Sequence, residues 1–420
     1  MTVTSDERNT LRELAKKQCE IASLPVMKER EKLWYDINDG KTTHPVVLME
    51  FHGIESEVFP ELTCSDPLLR DIERQFTQNI YKHEFFKDDR VIPPFVKLTI
   101  TDTFLPFGWE PEIIKAKNAD NDDHLAFGYK HVIADLEDDF HMIKPSTFNV
   151  DTGLVQSNKI KGIIEDIVGD IMPVKLEFPS FFFTMPHPLC RMMGMENMFL
   201  ALYDYPELFH KAMRQLTDDY HKYINALEAG YAILPNNDVS EVFWNSIGYT
   251  NDLPGSEDIS GSVKVSDVWA YTNSQETIGM SASMYDEFFF SYMEEISERC
   301  GLLAYGCCEP VHGIWDLCLS RLSNLRKLSI SPWCDEDAIA ERIRGTKICY
   351  QRKPSSNFIG VADVFDEDAF LAHIGKSVKA ARGCPLEVLF RDICSVRGEP
   401  NRLGRAVELT REAFQRWYQG

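Results

Sequence analysis

Leu302-Leu303-Ala304-Tyr305-Gly306-Cys307-Cys308-Glu309-Pro310-Val311-His312 is the stretch that decides the fold. A short apolar run reads as a buried strand, and a glycine, two thiols, a carboxylate and an imidazole follow it at once. The same cadence recurs on both sides: an apolar run ends in polar or small residues, and a helical stretch follows. Downstream stand Lys327-Leu328-Ser329-Ile330, Lys347-Ile348-Cys349-Tyr350 and Leu386-Glu387-Val388-Leu389-Phe390. Upstream stand Pro45-Val46-Val47-Leu48-Met49, Phe95-Val96-Lys97-Leu98-Thr99-Ile100, Val174-Lys175-Leu176-Glu177-Phe178 and Asp267-Val268-Trp269-Ala270-Tyr271.

Helical spacing fills the intervals. Apolar residues recur three and four apart from Pro206 to about Ala229, from Ser281 through Ile296, and from Arg402 to Trp417. Asp335 is placed to cap a helix running to Arg344. Strands alternating with helices predict an α/β fold with a parallel sheet. About eight strands and no Gly-rich phosphate loop favour a (β/α)₈ TIM barrel over an open nucleotide-binding sheet. The chain has 420 residues, enough for such a barrel with insertions. Residues 1–44 read as an N-terminal helical extension and 45–420 as the barrel. Inserted loops are expected over 105–165 and 235–266. The run Asp120-Asn121-Asp122-Asp123 lacks the closing Glu of a calcium loop and reads as a solvated loop.

A net charge of −22 excludes a free nucleic-acid binder, which would carry a basic patch. No apolar run reaches the roughly 20 residues of a membrane span. The polar N-terminus has no secretory pattern, so a cytoplasmic location is expected. In a reducing compartment the eleven cysteines are buried thiols, metal ligands or catalytic groups rather than disulfides.

Active groups of a barrel lie where strands end and βα-loops begin. Those positions hold Glu50 and His52; His187; Asn273, Gln275 and Glu276; Cys307, Cys308, Glu309 and His312; Trp333, Cys334 and Asp335; Gln351 and Arg352; and Asp392 and Cys394. Pro310 suits the first turn of a following helix, whose N-terminus would favour thiolate at the preceding cysteines. Two thiolates, a third ligand and one open position are the plan of a catalytic zinc site. Cys307 and Cys394 are the candidate pair, with Glu276 and His312 as candidate third ligands. Adjacent residues on a regular strand face opposite sides, so Cys308 is expected to be structural or an alternate ligand. The other reading of the pair is a metal-free nucleophile beside His312, which gives Cys394 no role.

At these residues the chain resembles the uroporphyrinogen decarboxylase superfamily. Arg191-Met192-Met193-Gly194-Met195-Glu196-Asn197 through Ala201-Leu202-Tyr203-Asp204-Tyr205-Pro206-Glu207-Leu208 is similar to a signature stretch of that family. Gln351-Arg352-Lys353-Pro354 and Asp392-Ile393-Cys394-Ser395 resemble its last two strand ends. The decarboxylases grip their substrate's carboxylates with an N-terminal arginine motif. Here the first strand ends Met49-Glu50-Phe51-His52-Gly53, without arginine. The other branch comprises corrinoid-dependent zinc methyltransferases, which carry a His-x-Cys and a later Cys. That resemblance places Cys307 and Cys394 at the cysteines and Tyr305 where the histidine belongs.

The resemblance implies zinc, a corrinoid carried on a separate protein, and a small methyl donor or acceptor. Aromatic residues at expected mouth positions (Phe181-Phe182-Phe183, Trp244, Trp269, Trp333) favour O-demethylation of a methoxylated aromatic. Trp269, Asn273, Trp333 and Gln351 are the expected substrate-binding residues. Glu276, Glu309 and His52 are the expected catalytic acids and bases, with His187 a further candidate. Methyl transfer from a methylcorrinoid to a thiol, a decarboxylase-like lyase, and a barrel without activity that acts as a partner protein are the alternative readings.

Overall fold

The structure is a computed structural model that describes residues 3–51, 53–100, 104–115, 127–243, 245–255 and 258–418. His52, Trp244 and the acidic run 120–123 lie outside the described residues. Nine strands matter for the site: β1 (Val46–Met49), β2 (Val96–Thr99), β3 (Val174–Glu177), β4 (Phe181–Phe183), β5 (Trp269–Thr272), β6 (Leu302–Tyr305), β7 (Leu325–Ile330), β8 (Cys349–Arg352) and β9 (Leu386–Phe390). Seven form one sheet in the order β1-β9-β8-β7-β6-β5-β4, with every pairing parallel. β2 and β3 pair in parallel as a separate unit.

The mixed α/β class and the parallel sheet agree with the sequence reading. The closed barrel does not. Consecutive strands neighbour one another from β4 to β9, and β1 returns beside β9, as in a barrel. The circle stays open between β1 and β4 among the described residues. On the β1 side, the edge is satisfied without a strand. Asp89 accepts from the Val47 N–H at 2.8 Å, Asp88 accepts from the Met49 N–H at 3.0 Å, and the Asp89 N–H donates to the Val47 carbonyl at 3.0 Å. An edge so blunted needs no neighbour. On the β4 side, Pro179 interrupts what would be one strand across β3 and β4 and removes a ladder donor.

The sheet has two unlike faces. On the outer face, Tyr305, Leu328, Ile330, Tyr350, Val388 and Phe390 join the largest apolar cluster with the covering helices. On the inner face, Val46, Leu48, Cys349 and Leu389 pack against Trp34 and Ile37. Both belong to helix α2 (Pro25–Asn38), which follows α1 (Ser5–Ala22). The inner face also buries an ion pair, Lys327 with Glu387 at 3.1 Å, both fully inaccessible. Among the described residues no helix is long and apolar enough to cross a membrane.

Candidate functional site

The site begins where β6 stops. Gly306 takes φ +102°, a conformation that costs other residues strain, and a Cβ there would meet the Ser329 Cβ at 3.2 Å. The turn ends strand alternation, so the two cysteines do not point apart as a regular strand requires. Their sulfurs lie 3.7 Å from each other. Pro310 opens a single 3-10 turn, Val311–Gly313, rather than an α-helix, so no helix N-terminus stabilises a thiolate here.

Side-chain charge takes that part instead. The Cys307 thiol hydrogen-bonds the Cys308 sulfur and pulls the Cys308 pKa down to about 7, against its partial burial and with help from Lys353 and Arg391. Cys307 moves the opposite way, held protonated by the same hydrogen bond and by burial. Cys308, the exposed member, is therefore the thiol that ionises first, and Cys307 keeps its proton. Lys353 is buried beneath it. Its ammonium lies 3.4 Å from the Cys307 carbonyl and 4.7 Å from the centre of the Phe243 ring. Burial lowers the Lys353 pKa. Arg391 lies 3.5 Å from Glu50 and 3.2 Å from Asp392. Burial opposes its charge, and the two carboxylates outweigh burial.

Glu309 fixes this geometry. One carboxylate oxygen accepts from the Ser274 N–H at 2.9 Å and the other from the Cys307 N–H at 2.8 Å, tying the ends of β5 and β6 together. Both oxygens are engaged, so Glu309 positions the thiols rather than serving as the acid. Tyr305, where the resemblance would put a histidine, points to the outer face. Its hydroxyl meets Tyr285 at 3.0 Å, and Tyr285 meets Ser274 at 2.8 Å.

Glu276 lies at the next strand end. Burial raises its pKa, the charge of Glu309 adds to the shift, and its Oε2 is buried without a partner. His187 Nε2 stands 3.8 Å away, beyond hydrogen-bond reach. Burial lowers His187 to about 4, so the contact is not an ion pair near neutrality. Asn273 donates to the Tyr271 hydroxyl at 3.0 Å, and its own side-chain oxygen is buried unpartnered. His187 also lines a cleft of about 340 Å³ walled by Phe104, Trp109, Phe181, Phe182, Tyr220 and Tyr223. Phe182, one wall of the cleft, stacks on Tyr271 of β5 at 5.3 Å.

Other expected residues fall elsewhere. Trp269 is at the start of β5, the far end of a parallel sheet, with its indole N–H bound to the Gly248 carbonyl at 2.7 Å. Gln351 is inside, donating to Glu387 at 3.0 Å. Trp333 is 73% exposed on a loop. His312 accepts from the Asp335 N–H at 3.1 Å, away from the thiols. Cys394 is exposed, with its sulfur 3.8 Å from the Asp392 carbonyl. Among the described residues, no three His, Cys, Asp or Glu side chains converge as a metal site. Lys353 and Arg391 were missed by sequence reasoning. The signal was there: Lys353 shares a sheet face with Gln351, and Arg391 with Glu387.

No family model matches the chain, and no curated protein matches it. Among solved structures it is similar to a methyltransferase from Methanosarcina mazei, with a TM-score of 0.52 and 14% identity over 92% of this chain and 99% of that one. At that identity the likeness is one of fold.

Proposed function

We propose that this chain is a methyltransferase that moves a methyl group between a methoxylated aromatic compound and a corrinoid carried by a separate protein. The observation that carries the reading is the Cys307–Cys308 pair, 3.7 Å apart at a strand end, beside buried Lys353 and half-buried Arg391. The fold likeness to a methyltransferase supports methyl transfer in general. The aromatic cleft that His187 lines, with Glu276 3.8 Å behind that histidine, supports a flat aromatic donor.

Zinc suits the pair in part. A tetrahedral ion about 2.3 Å from each of two thiolates sets them about 3.8 Å apart, close to the spacing here. Cys307 and Cys308 would hold it, and Cys394, on the loop after β9, is the candidate third thiolate. His312 is engaged by the Asp335 N–H, and Glu276 does not converge with the thiols on a metal site among the described residues. When bound, zinc would supply Lewis acidity to the donor oxygen. The chain's own residues do the rest: the aromatic walls orient the ring, Asn273 offers a free acceptor, and Glu276 holds a proton for the departing oxygen. A metal-free cysteine mechanism is the second reading, favoured by the Cys308 pKa of about 7.

The test is methylcobalt formation, followed by absorbance, from Co(I) corrinoid with methoxyaromatics, methylamines and methyl thioethers. Methoxyaromatics should turn over fastest. No methylcobalt from any donor would remove the proposal. Zinc near one per chain that is lost in Cys307→Ala would favour the metal reading, and full activity in metal-free protein would favour the second.

A further inference from the structure

The gap between β1 and the β2–β3 pair opens into a cavity of about 560 Å³ that reaches Phe243 and Tyr271. Two of the cations that line it are buried, Lys82 at 7% exposure and Arg90 at 6%. The Lys82 ammonium has no hydrogen bond or ion pair within 4 Å among the described residues. Its one close partner is the face of Phe51, 4.3 Å from the ring centre. Arg90 is anchored by the Met49 carbonyl at 3.1 Å, Asp88 at 3.3 Å and Asn245 at 2.8 Å, yet its Nε is buried with no partner. The other cations on the walls are already matched: Lys97 with Glu177 at 3.2 Å, and Arg74 with Asp71. The Arg90 Nε is a buried donor without an acceptor, which is rare and calls for an explanation, and the Lys82 ammonium faces the cavity with no anion beside it among the described residues. These two have donors only, so what completes them is an acceptor.

We propose that this lateral cleft is a second ligand site, in which Lys82 and Arg90 take the carboxylate of a small organic acid. A carboxylate fits better than phosphate because Glu241 and Glu177 also line the cleft and would repel a dianion. The far wall of the cleft, Phe243, also carries Lys353 below the cysteine pair, but the proposal does not depend on the reaction proposed there. Burial, and then the charge of Arg90, brings the Lys82 pKa down to about 7, with Glu241 and Asp88 pulling it up and Lys97 down. A bound carboxylate favours the charged amine. Binding above that pH therefore takes up a proton.

Isothermal titration of the full chain with acetate, benzoate and inorganic phosphate tests the site. One carboxylate should bind at a single site, more tightly than phosphate. Lys82→Met should weaken binding by about tenfold to a hundredfold, as loss of a charge-assisted hydrogen bond does, and Lys82→Arg should largely restore it. Titrations near pH 8 in buffers of different ionisation enthalpy should show proton uptake by the wild type. No binding by either carboxylate, tighter binding of phosphate, or equal affinity in Lys82→Met would overturn the proposal. If Lys82→Met does not fold, the wild type decides: carboxylate binding without proton uptake overturns it.

Discussion

The Cys308 thiol pKa is pulled down to about 7 because Cys307 gives it a hydrogen bond and Lys353 a nearby charge. A lowered thiol pKa means thiolate is present above about 7 and lost below it. In chelator-treated protein, the alkylation rate of Cys308 should rise with a midpoint near 7. Cys307→Ala should move that midpoint towards an ordinary thiol, about 8.5. A profile unchanged by the substitution would show that the pair is not coupled. Glu309→Gln weakens the two carboxylate bonds that join β5 to β6. Such supports usually contribute about 10- to 100-fold to activity, so turnover should fall by that order with the fold intact. The raised pKa of Glu276 gives a third expectation. Its acid form persists above the usual carboxylate range and is lost as pH rises through the raised value, so turnover should fall along that limb. The limb should be absent in Glu276→Gln. The thiols were legible as residues at a strand end. Their convergence was not, because it hangs on the backbone of Gly306, and alternation argues the other way.

At the scale of elements, β1 shows why closure was illegible. Lys87-Asp88-Asp89-Arg90 is four charged residues in a row, yet Asp88 and Asp89 are buried and cap the strand edge. Nothing in local spacing says that carboxylates will stand where a strand should pair. Asp89→Ala would strand the Val47 N–H and deprive Arg411 of a partner at 2.7 Å. Urea unfolding should show a loss of about 2–4 kcal/mol. Helix α1 carries a pH expectation. Hydrogen bonds from the Thr4 and Ser65 backbone lower Glu7 to about 2. A depressed carboxylate stabilises the fold above its unfolded value and loses that contribution as pH falls through the folded one. The stability difference between wild type and Glu7→Gln should be full above about pH 4.5 and vanish near 2. A difference that persists at pH 2 would contradict the bonding at Ser65.

For the molecule as a whole, the sequence spacing located each of the site-bearing strands except β4, which it left among the mouth aromatics as Phe181-Phe182-Phe183. The interior polarity was hidden, since Lys327 and Glu387 sit in apolar runs and meet only through the folded sheet. Removing one partner of such a pair leaves a buried charge, so Lys327→Met should cost about 3–5 kcal/mol, and adding Glu387→Gln should recover part of it. Calorimetric unfolding of the three variants measures both. The central claim is that methyl transfer occurs at the Cys307–Cys308 strand end. Its most direct measurement is single-turnover methylcobalt formation from Co(I) corrinoid and a methoxyaromatic donor, in wild type, Cys307→Ala, Cys308→Ala and the distant Cys19→Ser. The account predicts that Cys19→Ser keeps the wild-type rate while both strand-end variants lose about a hundredfold or more. Wild-type rates in Cys307→Ala and Cys308→Ala would contradict it.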